Sequence, residues 1–311
     1  MNFPTVLESI NDLNVEQVKY LLNTADGLKY NPRKYTFYET RRPVVATCFL
    51  EHSTRTRNSF VLAAEKLGAI YLNFDPDTSS LKKGENIEET FYTLKSQGVD
   101  LCIIRTPIPG ELRPLKENPP FKIINGGDGM HQHPTQALLD LFTMIETGFN
   151  PHGKTMAIIG DCEHSRVSHS LIDLITMMGG NIILCGPSGC LPKSTLNPNV
   201  ELCYDVEYAI NNSDLLYLLR IQKERHKRFG ATNYFCDYPW THGVTMERLK
   251  KLSKNIPVYH PGPINLGVEI GQCIINNPTN KHELGYMGYE QVRHSLWMRM
   301  AIIMAMLERQ I

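Results

Sequence analysis

The chain has 311 residues, 32 basic and 32 acidic side chains and 42% hydrophobic content, enough for two domains that each bury a core, and it excludes disorder as the native state. Zero net charge excludes a broad cationic face that would track a nucleic acid backbone or an anionic membrane. Any anion recognition has to be local.

The opening stretch MNFPTVLESIND lacks a basic region followed by an apolar one, and no run approaches the ~20 apolar residues that span a bilayer. A cytoplasmic protein with neither nucleic acid nor membrane partner is expected. The eight cysteines include no C-x-x-C pair and fall mostly inside apolar runs, as reduced thiols used as small core residues do. No metal and no cofactor are expected.

Asn14 with Gln17 three residues on predicts a helix start, and Val15, Val18, Leu21, Leu22 and Ala25 then form one apolar stripe. Beyond it come eight short aliphatic runs: PVVATCFL, AIYLNF, DLCIIR, KIING, MAIIG, NIILCG, DLLYLLR and PVYH. Strands buried on both faces look like this, and helical patterns separate them. PTQALLDLFTMIETG, with Pro134 at a first helical position and Gly148 just past the end, predicts a helix linking two halves. The last segment puts Val292, Leu296, Met300, Ile303 and Leu307 on one face, which reads as core packing by a closing helix or, less economically, as a partner-binding face. The fold class predicted is α/β, with two doubly wound parallel-sheet domains joined by interdomain helices. The first spans residues 1–133, completed by a helix at 289–311, and the second spans 134–288 with the linking helix 134–148.

In open parallel sheets, ligands bind beyond the carboxyl ends of the strands, so the residue after each run is the informative one. These ends carry Ser53, Thr54 and Arg55; Arg105; His133; Asp161 and Arg166; Arg220; and His260. A neutral protein has gathered cations at one kind of location, which favours a small, multiply anionic ligand with carboxylate and phosphate groups. In EHSTRTRNSF, Ser53 can cap a helix whose free N–H groups and dipole make a phosphate site. Arg55 and Arg57 stand about 200° apart around that helix, so Arg55 is assigned to the ligand while Arg57 is equally a bracing residue.

GxxxxGK and G-x-G-x-x-G are both absent, which disfavours ATP and dinucleotides, and no Ser-His-Asp or Cys-His pattern supports a covalent acyl-enzyme. His133, at the N-terminal edge of the helix opened by Pro134, is expected as a neutral donor, with Gln136 on the same first turn. The polar loop SSLKKGE, Ser79 to Glu85, supplies Lys82 and Lys83.

STRTR, SSLKKGE, GGDGMHQHPTQALLDLFT, GDCEHSRVSHS, LLRIQKER and HPGP occur in one order along nearly the whole chain. Together they resemble the catalytic chain of the aspartate carbamoyltransferase family. Ornithine enzymes share the first motif but characteristically have HCLP where this chain has HPGP. The resemblance implies transfer of a carbamoyl group from carbamoyl phosphate to the amine of L-aspartate in pyrimidine synthesis. It implies that Ser53, Thr54, Arg55 and Thr56 hold the phosphate, with Ser79 from a neighbouring subunit, and that Arg105, His133 and Thr56 polarise the carbamoyl oxygen. Gln136 and the backbone around Pro261, Gly262 and Pro263 would orient the carbamoyl NH2. Arg166, Arg220, Gln222 and the neighbour's Lys83 would hold aspartate. A homotrimer with shared sites is therefore implied, and regulatory or other pyrimidine-pathway chains are possible partners. Choosing Ser79 over Ser80 rests on counting back from KKGE. Val61, Gly126 and Leu266 depart from the family pattern. The alternatives are a carbamoyltransferase for another amino acid and a catalytically silent homologue acting as a binding subunit.

Overall fold

Asn14 and Gln17 cap each other, Asn14 Oδ1 accepting from the Gln17 N–H at 2.9 Å and Gln17 Oε1 from the Asn14 N–H at 2.8 Å. This box opens helix α1 (Val15–Tyr30), where the sequence places it. The computed structural model describes residues 1–32, 36–37, 41–79, 83–222, 236–253, 256–276 and 285–307.

Two parallel five-stranded sheets follow from the aliphatic runs. In the first, β1 (Val6–Leu7), β2 (Val44–Phe49), β3 (Ile70–Phe74), β4 (Leu101–Thr106) and β5 (Lys122–Asp128) lie in the order β1-β5-β4-β2-β3. In the second, β6 (Thr155–Ile159), β7 (Asn181–Cys185), β8 (Val200–Cys203), β9 (Leu215–Leu218) and β10 (Val258–Tyr259) lie in the order β10-β9-β6-β7-β8. All eight predicted runs are strands; the short edge strands β1 and β8 are additional. Central strands are buried on both faces, which is why they show no alternation: Val45, Ala46, Cys48, Leu101, Cys102, Ile103 and Ile104 are all fully enclosed. Each buried valine, leucine or isoleucine among them contributes roughly 1.5–3 kcal/mol by leaving water.

The helices that flank the strand ends are α2 (Thr54–Lys66), α3 (Ile87–Ser96), α4 (Pro134–Glu146), α5 (Arg166–Met177), α6 (Val206–Asn211) and α7 (Gly288–Met306). The chain divides into two compact units, Met1–Phe142 with Val292–Ile311, and Thr143–Gln291, so the boundary runs through α4 and through α7. Six cysteines are buried in or beside strands while Cys236 and Cys273 are exposed, and burial pushes the Cys48 thiol up to about 12. Among the described residues, no helix is long and apolar enough to cross a membrane.

Helix α7 departs from the single apolar face expected of it. Val292 is exposed and Leu296 and Leu307 are half-buried, whereas every residue from Met298 to Met306 is buried, Arg299 included. A helix enclosed on all sides has no stripe for periodicity to reveal.

Candidate active site: two sets of strand-end residues

In the first unit, β2 runs into Ser53, which adopts extended backbone (φ −157°, ψ 107°) at the N-cap of α2. The expected cap is only positional. The Ser53 side chain makes no capping hydrogen bond, so the N–H groups of the first turn of α2 lack that partner. Thr54 and Arg55 on that turn are exposed and Thr56 is buried. Arg57 turns away, its Nη2 donating to Asn73 Oδ1 on β3 at 2.7 Å, which makes it a brace between α2 and the edge strand.

Thr56 and His133, 77 positions apart in the chain, meet beneath this turn. The Thr56 hydroxyl lies 3.4 Å from His133 Nε2, and the ring's Nδ1 lies 3.4 Å from Thr135 Oγ1. His133 is only 3% exposed, and its carbonyl accepts from the Gln136 N–H at 3.0 Å, so α4 begins on it. Gln136 Nε2 donates to Asp140 Oδ1 at 2.9 Å. Since a carboxylate only accepts, this bond fixes the amide and makes Oε1 the end able to receive a substrate N–H. Arg105, at the end of β4, donates from Nε to Glu51 Oε2 at 2.9 Å and from Nη1 to the Gly126 carbonyl at 3.4 Å. Gly126 suits this close approach, because a Cβ there would stand 3.1 Å from the Ile104 carbonyl oxygen.

Ser79 ends a short turn over Pro76–Thr78, its hydroxyl donating to the Pro76 carbonyl at 2.9 Å. Lys83 is exposed and forms no hydrogen bond or ion pair among the described residues, so this chain alone does not join it to Thr56 and His133. Ser80 and Lys82 lie outside the described residues, as does the segment after Gln222 that completes RIQKER.

In the second unit, β6 is followed by Gly160, whose φ of +137° and proximity to the Leu219 carbonyl, 2.3 Å from any added Cβ, admit only glycine. The chain can then turn to place Asp161, which is fully buried. Asp161 Oδ1 accepts from His164 Nδ1 at 2.7 Å, and Oδ2 accepts from the Gln222 N–H at 3.3 Å. Gln222 Nε2 in turn donates to the His164 carbonyl at 2.9 Å. One buried carboxylate thus ties the loop after β6 to the loop after its neighbour β9. Arg166 opens α5 at 8% exposure, just after Ser165, which accepts from the Ser168 N–H at 3.3 Å. Arg220 follows β9 and is half-buried. The two arginines therefore rise from the ends of adjacent strands.

After β10, His260 is 2% exposed and accepts at Nδ1 from the Gly262 N–H at 2.8 Å, which places its proton on Nε2, 3.3 Å from Glu269 Oε1. Pro261 and Gly262 are half-buried and Pro263 exposed on a loop that Gly262 turns at φ +66°. Elsewhere, ligand atoms of Glu8, Asp128 and His131 lie within 4.8 Å of one another, but Lys116 stands 2.8 Å from Glu8 and supplies its cation.

Glu51, Asp140 and His164 hold Arg105, Gln136 and Gln222 by hydrogen bonds, and none of the three stands out in the sequence by its own position. Glu51 lies in EHSTRTRNSF, Asp140 in GGDGMHQHPTQALLDLFT and His164 in GDCEHSRVSHS, so the motifs contain all three without distinguishing what each does.

The fold and these residues define a two-unit α/β protein that presents hydroxyl, imidazole, carboxamide and guanidinium groups at the strand ends of both sheets. The chain belongs to the aspartate/ornithine carbamoyltransferase family: the model of its carbamoyl-P binding domain matches residues 6–146, and that of its Asp/Orn binding domain matches residues 152–306. Among curated relatives, the aspartate carbamoyltransferase catalytic subunit of Ruminiclostridium cellulolyticum is 37% identical over 98% of this chain and 96% of its own length. That of Moorella thermoacetica is 38% identical over 96% of this chain and 95% of its own. Similar solved structures include Trypanosoma cruzi aspartate transcarbamoylase in complex with carbamoyl phosphate (26% identity, TM-score 0.84, 97% of this chain and 96% of that one). The catalytic subunit of M. jannaschii aspartate transcarbamoylase is similar too (28% identity, TM-score 0.81, 98% of both chains).

Proposed function

We propose that the protein transfers the carbamoyl group of carbamoyl phosphate to the amine of L-aspartate, giving N-carbamoyl-L-aspartate and phosphate in pyrimidine biosynthesis. The observation that carries this reading is the arginine pair, Arg166 and Arg220, at the ends of adjacent strands with Gln222 anchored between their loops. Two guanidinium forks suit a dicarboxylic amino acid, and an acceptor with one carboxylate and a second amine would leave one of them without an anion.

The first unit binds carbamoyl phosphate and the second binds aspartate. Ser53, Thr54 and Arg55 take the phosphate at the start of α2, and Thr56, Arg105 and His133 address the carbamoyl oxygen. Gln136, through Oε1, and the backbone from Pro261 to Pro263 orient the carbamoyl NH2. The deprotonated aspartate amine attacks the carbonyl carbon, negative charge grows on the oxygen, and the donors facing it lower the barrier because they strengthen as charge develops. Collapse breaks the carbon–oxygen bond to phosphate, which takes the amine proton as it departs and is released as the hydrogen phosphate dianion. The Glu51 carboxylate, accepting from Arg105 Nε, holds the guanidinium at the strand end. Ser79 and Lys83 serve the site of a neighbouring subunit in a homotrimer, which fits the exposure of Lys83.

The test supplies purified protein with carbamoyl phosphate and either aspartate or ornithine and quantifies the carbamoylated amino acid. Carbamoyl-aspartate is expected as the product. Product from ornithine alone, or from neither acceptor at millimolar concentration, would overturn the reading.

A further inference from the structure

Arg299 heads the fully buried side chains by size, at 1% exposure. It reaches from α7 to the first turn of α2, where Nη1 donates to the Arg55 carbonyl at 3.4 Å and the guanidinium carbon stands 4.9 Å from the centroid of the Phe60 ring. Its Nε has no hydrogen-bond partner among the described residues. Phe60 follows Thr56 by one helical turn, and both are buried on the same face of α2.

Enclosure of this kind is costly for a cation. Burial draws the Arg299 pKa down from 12.5 to about 9, Asp140 opposing the shift and Arg105 adding to it, so the side chain stays charged at neutral pH. A methionine or leucine would fill the space without desolvating a charge, and one long hydrogen bond with a cation–π contact does not offset that cost. Stability alone therefore does not account for an arginine here. Its neighbours supply the account: Arg105 addresses the carbamoyl oxygen, Asp140 fixes Gln136, and Arg55 leads the phosphate turn.

We propose that Arg299 is a positioning residue for the phosphate side of the site, fixing the first turn of α2 from beneath through the Arg55 carbonyl and the Phe60 ring. It touches no substrate. Its charge, held where water does not screen it, also favours an anion at the helix start. The proposal rests on the proposed function and extends it to a residue contributed by the far end of the chain.

The test compares Arg299→Met and Arg299→Lys with the parent protein, using titration calorimetry with inorganic phosphate, steady-state kinetics and thermal melting. Arg299→Met should raise the phosphate Kd and the KM for carbamoyl phosphate about tenfold, the order of one lost charge-assisted contact, and leave the KM for aspartate within about twofold. Arg299→Lys should recover part of the loss. Phosphate affinity within twofold of the parent in Arg299→Met, whatever its Tm, would overturn the proposal. Should Arg299→Met fail to fold, Arg299→Lys and Phe60→Leu decide: weakening of roughly threefold or more in both supports it, and a smaller effect in either overturns it. Parent protein that binds phosphate but carbamoylates nothing would sink the proposed function alone, since the phosphate titration still judges Arg299.

Discussion

Asp161→Asn tests how far the aspartate side depends on one buried carboxylate. The substitution keeps the shape and one oxygen, and that oxygen stays with His164 Nδ1, the closest donor at 2.7 Å. The new NH2 then faces the Gln222 N–H, which has been donating to Oδ2 at 3.3 Å, so two donors oppose each other in a site without solvent. Losing a bond to a charged acceptor costs about 1.5–3 kcal/mol, and neutralising the His164 bond roughly halves its strength, so about 2–4 kcal/mol of stability is at stake. Gln222 hangs from the same arrangement through the His164 carbonyl. If about 1.4 kcal/mol of that loss falls on the ligand-ready loop, the KM for aspartate rises about tenfold. Carbamoyl phosphate affinity should not change, because Asp161 belongs to the second unit. Carbamoyl-aspartate formation across an aspartate series, with calorimetric melting, reads both effects. An Asp161→Asn protein with parental Tm and parental aspartate KM would show that the carboxylate organises nothing.

Arg55 and Arg57 should separate cleanly. Arg55→Ala should weaken phosphate and slow turnover by at least about tenfold, whereas Arg57→Ala, which removes an exposed bond to Asn73, should keep turnover within about twofold and lose less than about 1 kcal/mol of stability. His242, in the second unit, is held below the usual histidine range chiefly by burial, helped by the Arg248 charge. The folded state therefore binds fewer protons than the unfolded one between its lowered pKa and about 6.5, and stability should fall as pH drops through that window. Melting His242→Gln beside the parent at pH 7 and pH 5 checks this: the variant should lose less stability on acidification, and an equal loss would refute the assignment.

Much of this architecture was legible because parallel strands enclosed on both faces appear as unbroken aliphatic runs, and because the residues that follow them mark the ligand side of the sheet. Strands β1 and β8 escaped for the converse reason. One is two residues long, and the other carries an exposed Glu201 at a sheet edge, so neither has the required run. Among the candidate residues, Arg105, His133 and Arg166 stand out by their place after an aliphatic run, whereas Thr56 enters through the family resemblance, and the partners that fix such residues are not tied to them by any local pattern. Arg105 with Glu51, Gln222 with Asp161 and Arg299 with Arg55 pair across 54, 61 and 244 positions, and no local pattern encodes such partners. Ser53 shows the opposite error: its residue type predicts a side-chain cap, yet its hydroxyl makes none, and the turn it precedes is where phosphate is proposed to bind.

The division of labour between the two sheets is the central claim, and a paired kinetic measurement on Arg105→Ala and Arg220→Ala tests it most directly. Arg105→Ala should lower kcat by about 10² or more with little change in the KM for aspartate, because the lost donor acts on charge that develops only in the transition state. Arg220→Ala should chiefly raise the KM for aspartate. Loss of kcat confined to Arg220→Ala, or kcat and KM unchanged in both proteins, would contradict the account.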